Sequence, residues 1–278
     1  MQTKHVFAVG LCAFACVATR AQTTNDQIME TPISNKELVL DFWKRAIGQG
    51  NLEVAEQRIA EDYIQHSASG KPGKAALLEA LTMLKQMPKP ENPPKPFMRV
   101  IADGDYVVVH MLITFGGQTM IVLDMVRLQN SRFVEHWDAI QPMTEATAKS
   151  AIEGPTQTND PGQTASNKQR IADFVQAVLK EGQWERTADF ASLGIIVHDP
   201  EATSGVSGWK EMLQRYTLEK TYRIIGEGNL VMTQSRVLQN ETPYACYDLY
   251  RLENTRIVEH WRVKQPIPAT LPHNNGMI

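Results

Sequence analysis

Asp124, His66 and His110 are the side chains of this sequence best placed to move a proton. Asp124 is the one acid in Ile121-Val122-Leu123-Asp124-Met125-Val126, and burial among such neighbours raises a carboxyl pKa unless a cation or donor holds the charge, as a general acid or base requires. His66 closes Tyr63-Ile64-Gln65-His66, and His110 lies in Val107-Val108-Val109-His110-Met111. Either imidazole could orient a substrate oxygen. Each residue also has a structural reading: an ion pair for Asp124, a bond to a backbone carbonyl for His66, and the polar face of a sheet for His110.

A fourth stretch, Arg132-Phe133-Val134-Glu135-His136-Trp137-Asp138, returns as Arg256-Ile257-Val258-Glu259-His260-Trp261-Arg262, each followed by Gln-Pro. Strand alternation puts Val134, His136, Asp138 and Ile140 on one face and Glu135, Trp137, Ala139 and Gln141 on the other. Only one face can line a given cavity. Trp137 and Trp261 therefore read as core.

Other chemistries find less support. His66, His110, His136 and the two aspartates lack the close spacing of a zinc motif, so no metal is expected. No cofactor is expected either, since there is no Gly-rich phosphate loop. A Gly-x-Ser-x-Gly elbow is also missing, and Cys246 has no activating neighbour in Tyr244-Ala245-Cys246-Tyr247.

The elements that must position these residues come in two rounds. Ser34-Asn35-Lys36-Glu37 has the spacing of a capping box, and Leu38, Val39, Phe42, Trp43, Ala46 and Ile47 form one helical stripe ended by Gly48 and Gly50. A short helix over 52–59 and a third over about 74–85 follow. The proline-rich Met87–Pro96 is a connector. The apolar period then becomes two, predicting strands over 97–102, 106–114, 119–128 and 133–141. Residues 146–165 read as a linker, after which Ser166-Asn167-Lys168-Gln169 predicts a second capped helix, Trp209–Tyr216 another, and 222–226, 230–238, 244–252 and 257–265 four more strands.

Asn35 and Asn167 are separated by 132 positions, as are His66 and His198, whereas Asp124 and Asp248 are separated by 124, as are His136 and His260. One length change, placed in the proline-rich connector, accounts for both offsets. The expected architecture is α+β: two folds in tandem, each three helices on a curved antiparallel sheet, packed as a pseudo-dimer, over residues 34–145 and 166–268 with a tail at 269–278. Asp138 becomes Arg262 and His110 becomes Gln234, so the second half reads as degenerate.

Residues 1–21 have the parts of a secretory signal peptide, with cleavage expected near Ala21 and export to the periplasm or exterior. A lipid anchor at Cys16 is the runner-up. Residues 22–33 read as a flexible leader. Cleavage would leave Cys246 without a disulfide partner. The chain holds 28 basic and 31 acidic residues with no basic block, which argues against nucleic acid. No segment is long enough for a membrane span.

These residues resemble the SnoaL-like domains of the nuclear transport factor 2-like superfamily. The resemblance rests on Asn-Lys at each first helix, Ile64-Gln65-His66, Ala102-Asp103-Gly104-Asp105, Asp124 with Arg127, Val134-Glu135-His136-Trp137-Asp138 with Gln141-Pro142, and the closing Asn274-Asn275-Gly276-Met277. It implies a cone of sheet around a pocket and cofactor-independent acid/base chemistry on a small carbonyl compound, of isomerase, lyase or aldol-cyclase type. On that reading Asp138 or Asp124 is the base, and His66 or His110 stabilises the enolate oxygen. Tyr63, Val108, Val122, His136, His198, Asp248 and His260 are expected to line the pockets. The chain departs from the family pattern at His66-Ser67-Ala68 and at Arg262. A binding module for an apolar ligand, or a scaffold with filled cones, stays open beside the enzyme, and so does a homo-oligomer.

Overall fold

The computed structural model describes residues 33–87 and 97–278. The expected signal peptide and leader, with Cys12 and Cys16, and most of the proline-rich connector lie outside these residues. Among the described residues no helix is long and apolar enough to cross a membrane.

Helix α1 (Asn35–Phe42) starts on the expected capping box: Ser34 Oγ accepts from Glu37 N, and Glu37 Oε2 accepts from Ser34 N at 2.8 Å. It runs on as a π turn over Trp43–Gly48. Then come α2 (Leu52–Arg58), capped by Asn51, β1 (Ile59–Gln65) and α3 (Lys74–Gln86). Strands β2 (Phe97–Asp103), β3 (Tyr106–Phe115), β4 (Gln118–Gln129) and β5 (Arg132–Met143) form an antiparallel meander. Its hairpins turn at residues of positive φ, such as Gly116 and Gly117, which is the backbone such tight turns need.

The sheet is mixed rather than purely antiparallel. β1 adds to β5 in parallel, giving the order β1-β5-β4-β3-β2. A parallel neighbour needs a long crossover, and here everything from α3 to β4 supplies it.

The linker is also more ordered than its composition suggests. It contains α4 (Glu145–Ile152), where Thr144 caps Thr147 and Ala148, Ala151 and Ile152 are buried. An alanine-based stripe looks like linker composition, yet alanine is the best helix former. The second expected capping box does not form. Helix α5 (Thr164–Phe174) begins two residues before Ser166, whose hydroxyl donates back to Gln163 O.

The second half then repeats the first: a π turn over Val175–Lys180, α6 (Thr187–Phe190), β6 (Ala191–Val197), α7 (Val206–Leu213), β7 (Thr217–Glu227), β8 (Leu230–Gln239), β9 (Thr242–Glu253) and β10 (Arg256–Pro266). The strand order is β6-β10-β9-β8-β7, with β6 parallel to β10. The protein is thus α+β, two cones in tandem. Each cone has its own apolar core and a third joins the two sheets through Leu123, Met125, Trp137, Leu249 and Trp261.

Contacts across that third core come in reciprocal pairs, the mark of a two-fold relation. Arg99 lies over the Trp261 ring at 3.9 Å, and Arg223 lies over Trp137 at 4.2 Å. Gln141 Oε1 accepts from Lys264 N at 3.0 Å, while Gln265 Oε1 accepts from Ile140 N at 2.9 Å. Lys36 pairs with Glu227, and Lys168 with Asp103. The recurring Asn-Lys and Gln-Pro motifs are therefore the fittings of a pseudo-dimer. His66 and His198 belong to the same layer, stacked on Trp137 and Trp261 at 4.8 and 4.7 Å.

Candidate functional site

The first cone encloses a cavity of about 250 Å³. Helices α1 and α3 supply apolar walls, including Phe42, Trp43, Leu77 and Leu81, and the sheet supplies Met111, Val122, Val126 and Phe133. Among the described residues no lysine or arginine lines it. Its polar groups are Tyr63 and Gln65 from β1, Asp124 from β4, and His136 and Asp138 from β5.

Register brings them together. Asp124 is the direct cross-strand neighbour of Asp138, Val126 that of His136, and Gln65 that of His136 on the other side. Paired positions share a face, so β1, β4 and β5 each send polar side chains to one floor.

Two carboxylates facing each other would repel, and His136 stands between them electrically. Its Nε2 lies 2.5 Å from Asp124 Oδ1, an ion pair aligned poorly for a hydrogen bond. Its Nδ1 lies 2.7 Å from Gln65 Oε1. That oxygen is identified by the backbone N–H groups of His66 and Ser67, which both donate to it at 3.0 Å. Nδ1 must therefore be the donor to Gln65. Burial disfavours charge on His136, but Asp124, and Asp138 less strongly, outweigh it and hold the imidazole up at about 9. At neutral pH this is an imidazolium whose Nδ1–H is donated to Gln65 and whose charge is paired with Asp124.

Asp138 is 6% exposed, and its Oδ1 has no hydrogen-bond partner. Burial raises its pKa, nearby Asp124 adds to the rise, and His136 with the Ser67 hydroxyl oppose it. Tyr63 accepts from Gln65 Nε2 at 3.3 Å and has no acceptor for its own proton among the described residues. Burial and the two aspartates push this phenol well above its usual range, so it stays a donor.

Two expected catalytic residues, His66 and His110, and two expected lining residues, Val108 and His198, stand elsewhere. Val108 and His110 point to the joint between the cones, because Val109 and not His110 is paired with Asp124. Buried His110 is pushed down to about 3, chiefly by desolvation, which keeps it neutral; it receives Arg99 Nη1 at 3.2 Å. His66 is held between Glu135 Oε1 at 2.9 Å and Gly276 O at 2.8 Å, and His198 between Glu259 and Ser150 O. Val122 and Tyr63 line the cavity. Gln65 was missed as a site residue, although it lies within the motif Ile64-Gln65-His66 and nothing local marks it.

In the second cone the same positions are filled. Trp209 replaces Leu77, Tyr250 replaces Val126, and Arg262 replaces Asp138. Arg262 Nε bonds Asp248 Oδ1 at 2.6 Å, its Nη1 reaches Met212 Sδ at 3.1 Å, and its guanidinium lies over the Tyr216 ring. His260 Nε2 donates to the same Asp248 oxygen at 2.8 Å. Burial opposes charge on Asp248, yet Arg262 and His260 hold it well below the carboxylate range. Asp248 and His260 thus belong to a closed cluster around the Asp248–Arg262 ion pair rather than to a pocket lining. Val197 stands where Gln65 does, and His260 Nδ1 has no partner.

No family model matches the sequence, and no curated protein is similar to it at a significant level. Parts of the chain are similar to solved structures. One titled a "putative ketosteroid isomerase", from Kribbella flavida, is 10% identical over 41% of this chain and 87% of its own, with a TM-score of 0.35. An NTF2-like protein of unknown function from Cytophaga hutchinsonii is 16% identical over 40% and 93%, TM-score 0.33. An LEH-like epoxide hydrolase from M. tuberculosis is 14% identical over 37% and 85%, TM-score 0.32. Likeness at this level says nothing of substrate or reaction.

Among the described residues no three His, Cys, Asp or Glu side chains are grouped to hold a metal ion. What the first cone offers is a carboxylate of raised pKa, a neutral phenol and an internally neutralised Asp124–His136 pair in apolar surroundings. These can take up and return a proton and can stabilise an oxyanion.

Proposed function

We propose that the first cone is the active site of a cofactor-independent acid/base enzyme, of isomerase or cyclase type, acting on a small uncharged carbonyl compound. The observation that carries this reading is the unpartnered Oδ1 of buried Asp138, within a cavity that also holds Tyr63 with its proton free. An unsatisfied buried carboxylate costs stability, and such costs are kept where function needs them.

In the proposed step Asp138 removes a proton from the carbon next to a carbonyl. The C–H pair becomes the enolate double bond, and the negative charge moves to the oxygen, which accepts the Tyr63 hydroxyl. Protonated Asp138 then returns the proton to another carbon, giving an isomer, or the enolate carbon attacks a second carbonyl of the same molecule, whose oxygen takes the proton back from Asp138 as the ring closes. The Asp124–His136 pair supplies a fixed dipole beside the developing charge. With no lysine or arginine in the lining among the described residues, and the His136 imidazolium already taken by Asp124, carboxylate or phosphate substrates are disfavoured. A volume slightly under the roughly 300–1,000 Å³ of ordinary ligand pockets favours compact ones.

Exchange of α-protons into D2O, followed by NMR with neutral cyclic ketones such as 2-tetralone, tests this directly. Acceleration by the protein that Asp138→Asn removes is the expected result. No acceleration above buffer across the panel would sink the reading. The apolar walls also favour a second reading, a binding module; there, Asp138→Asn would keep a bound ketone and no exchange would be seen with either protein.

A further inference from the structure

The proton-transfer reading involves only the first cone, yet the strand end carrying Gln65, His66 and Ser67 is held by residues that follow the second. We infer that the segment His273–Gly276 positions the first-cone site, with the second half serving that site by delivering this segment.

Three bonds support the inference. Asn275 Nδ2 donates to Gln65 O at 3.0 Å, His66 Nδ1 donates to Gly276 O at 2.8 Å, and His273 Nε2 donates to Ser67 O at 2.9 Å. They grip three successive residues from the side away from the cavity. On the cavity side the same residues hold the reactive groups: Gln65 Oε1 takes the His136 Nδ1 proton and Gln65 Nε2 meets Tyr63, while Ser67 acts on Asp138. Gly70 packs against Gln65 so closely that a Cβ there would lie 2.7 Å from Gln65 Cγ. Gln65 is therefore confined by its bonds and by Gly70.

The segment itself has an anchor, since Met277 is buried in the core between the cones with Leu271 and Ile278 beside it. The second cone has a different arrangement: α4 meets His198 through Ser150 O, and the site it would brace is filled. The two ends of the fold are thus braced by different segments, and the three-bond grip is placed behind the open cone.

The inference goes beyond the proposed reaction and can stand without it. The test uses the full chain with Asn275→Ala, His273→Ala and the double variant. Asn275→Asp removes the donated N–H while keeping size, and exposed Asn274→Ala serves as control. Melting by circular dichroism shows which variants remain folded. Imidazole NMR then follows the His136 titration, and α-proton exchange of 2-tetralone follows turnover. In the double variant the His136 midpoint should move down from its alkaline position, and kcat should fall about ten-fold with KM within about two-fold, as small misplacements of reacting groups produce. Asn275→Asp should follow Asn275→Ala, and Asn274→Ala should match the parent. A folded double variant with unchanged His136 titration overturns the inference. A moved titration without exchange by any protein, the parent included, upholds it and removes the proton-transfer reading instead.

Discussion

Asp124 and Asp138 stand directly opposite each other across the β4–β5 ladder, both facing the cavity. Like charges so placed destabilise a sheet. The second cone relieves the same juxtaposition by placing Arg262 opposite Asp248. The first keeps both acids, offset by the charge on His136.

That arrangement predicts a trade of stability for function at Asp138. Its pKa is raised on folding, so at pH 7–8, above the unfolded value, its ionisation weakens the fold. Asp138→Asn should therefore stabilise the protein by about 1 kcal/mol in urea unfolding at pH 8 while abolishing proton exchange. The stability gain should shrink as pH falls through the raised folded-state value of Asp138 toward the ordinary carboxylate range, where both states are protonated.

His136 predicts the opposite pH limb. Its pKa is raised from 6.5 to about 9, so the stability it contributes is complete below pH 6.5 and is lost as pH rises through 9. Unfolding midpoints from pH 6 to 10 should fall more steeply for the parent than for Asp124→Asn. In that variant burial acts on the imidazole with less opposition, and NMR should place its midpoint lower than in the parent.

Leu77 and Trp209 occupy the fourth position of α3 and α7. Leu77→Trp should be accepted in the open cone, with stability within about 1 kcal/mol, because the added ring enters a cavity and not a packed core. Ketone binding measured by calorimetry should vanish. Trp209→Leu should cost about 3 kcal/mol by leaving a void in the filled cone.

Breaking the closed cluster should be costlier than breaking the open one. Asp248→Asn leaves the Arg262 guanidinium buried without its counter-charge, a loss of about 3–5 kcal/mol. Denaturant melts should show it. A smaller effect than that of Asp124→Asn would contradict the assignment of Asp248 to structure.

Local features were legible in the sequence. The Ser34 capping box and the Gly116-Gly117 turn depend on residues within a few positions of each other. Alternation alone separated Glu135 and Trp137, which serve the joint, from His136 and Asp138, which face the cavity, because side chains along a strand change face at every residue. The replacement of Asp138 by Arg262 marked the two cones as differently lined.

Tertiary structure decided the rest. Which face of β3 meets the cavity depends on its register with β4, and that register turned His110 away while turning Asp124 inward. The parallel place of β1 beside β5 depends on a partner far along the chain, and only there does Gln65 meet His136. Whether a cone is open depends on whether side-chain volumes sum to the space available, which no single position reveals; Trp209, Tyr250 and Arg262 fill one, and the smaller Leu77, Val126 and Asp138 leave the other open.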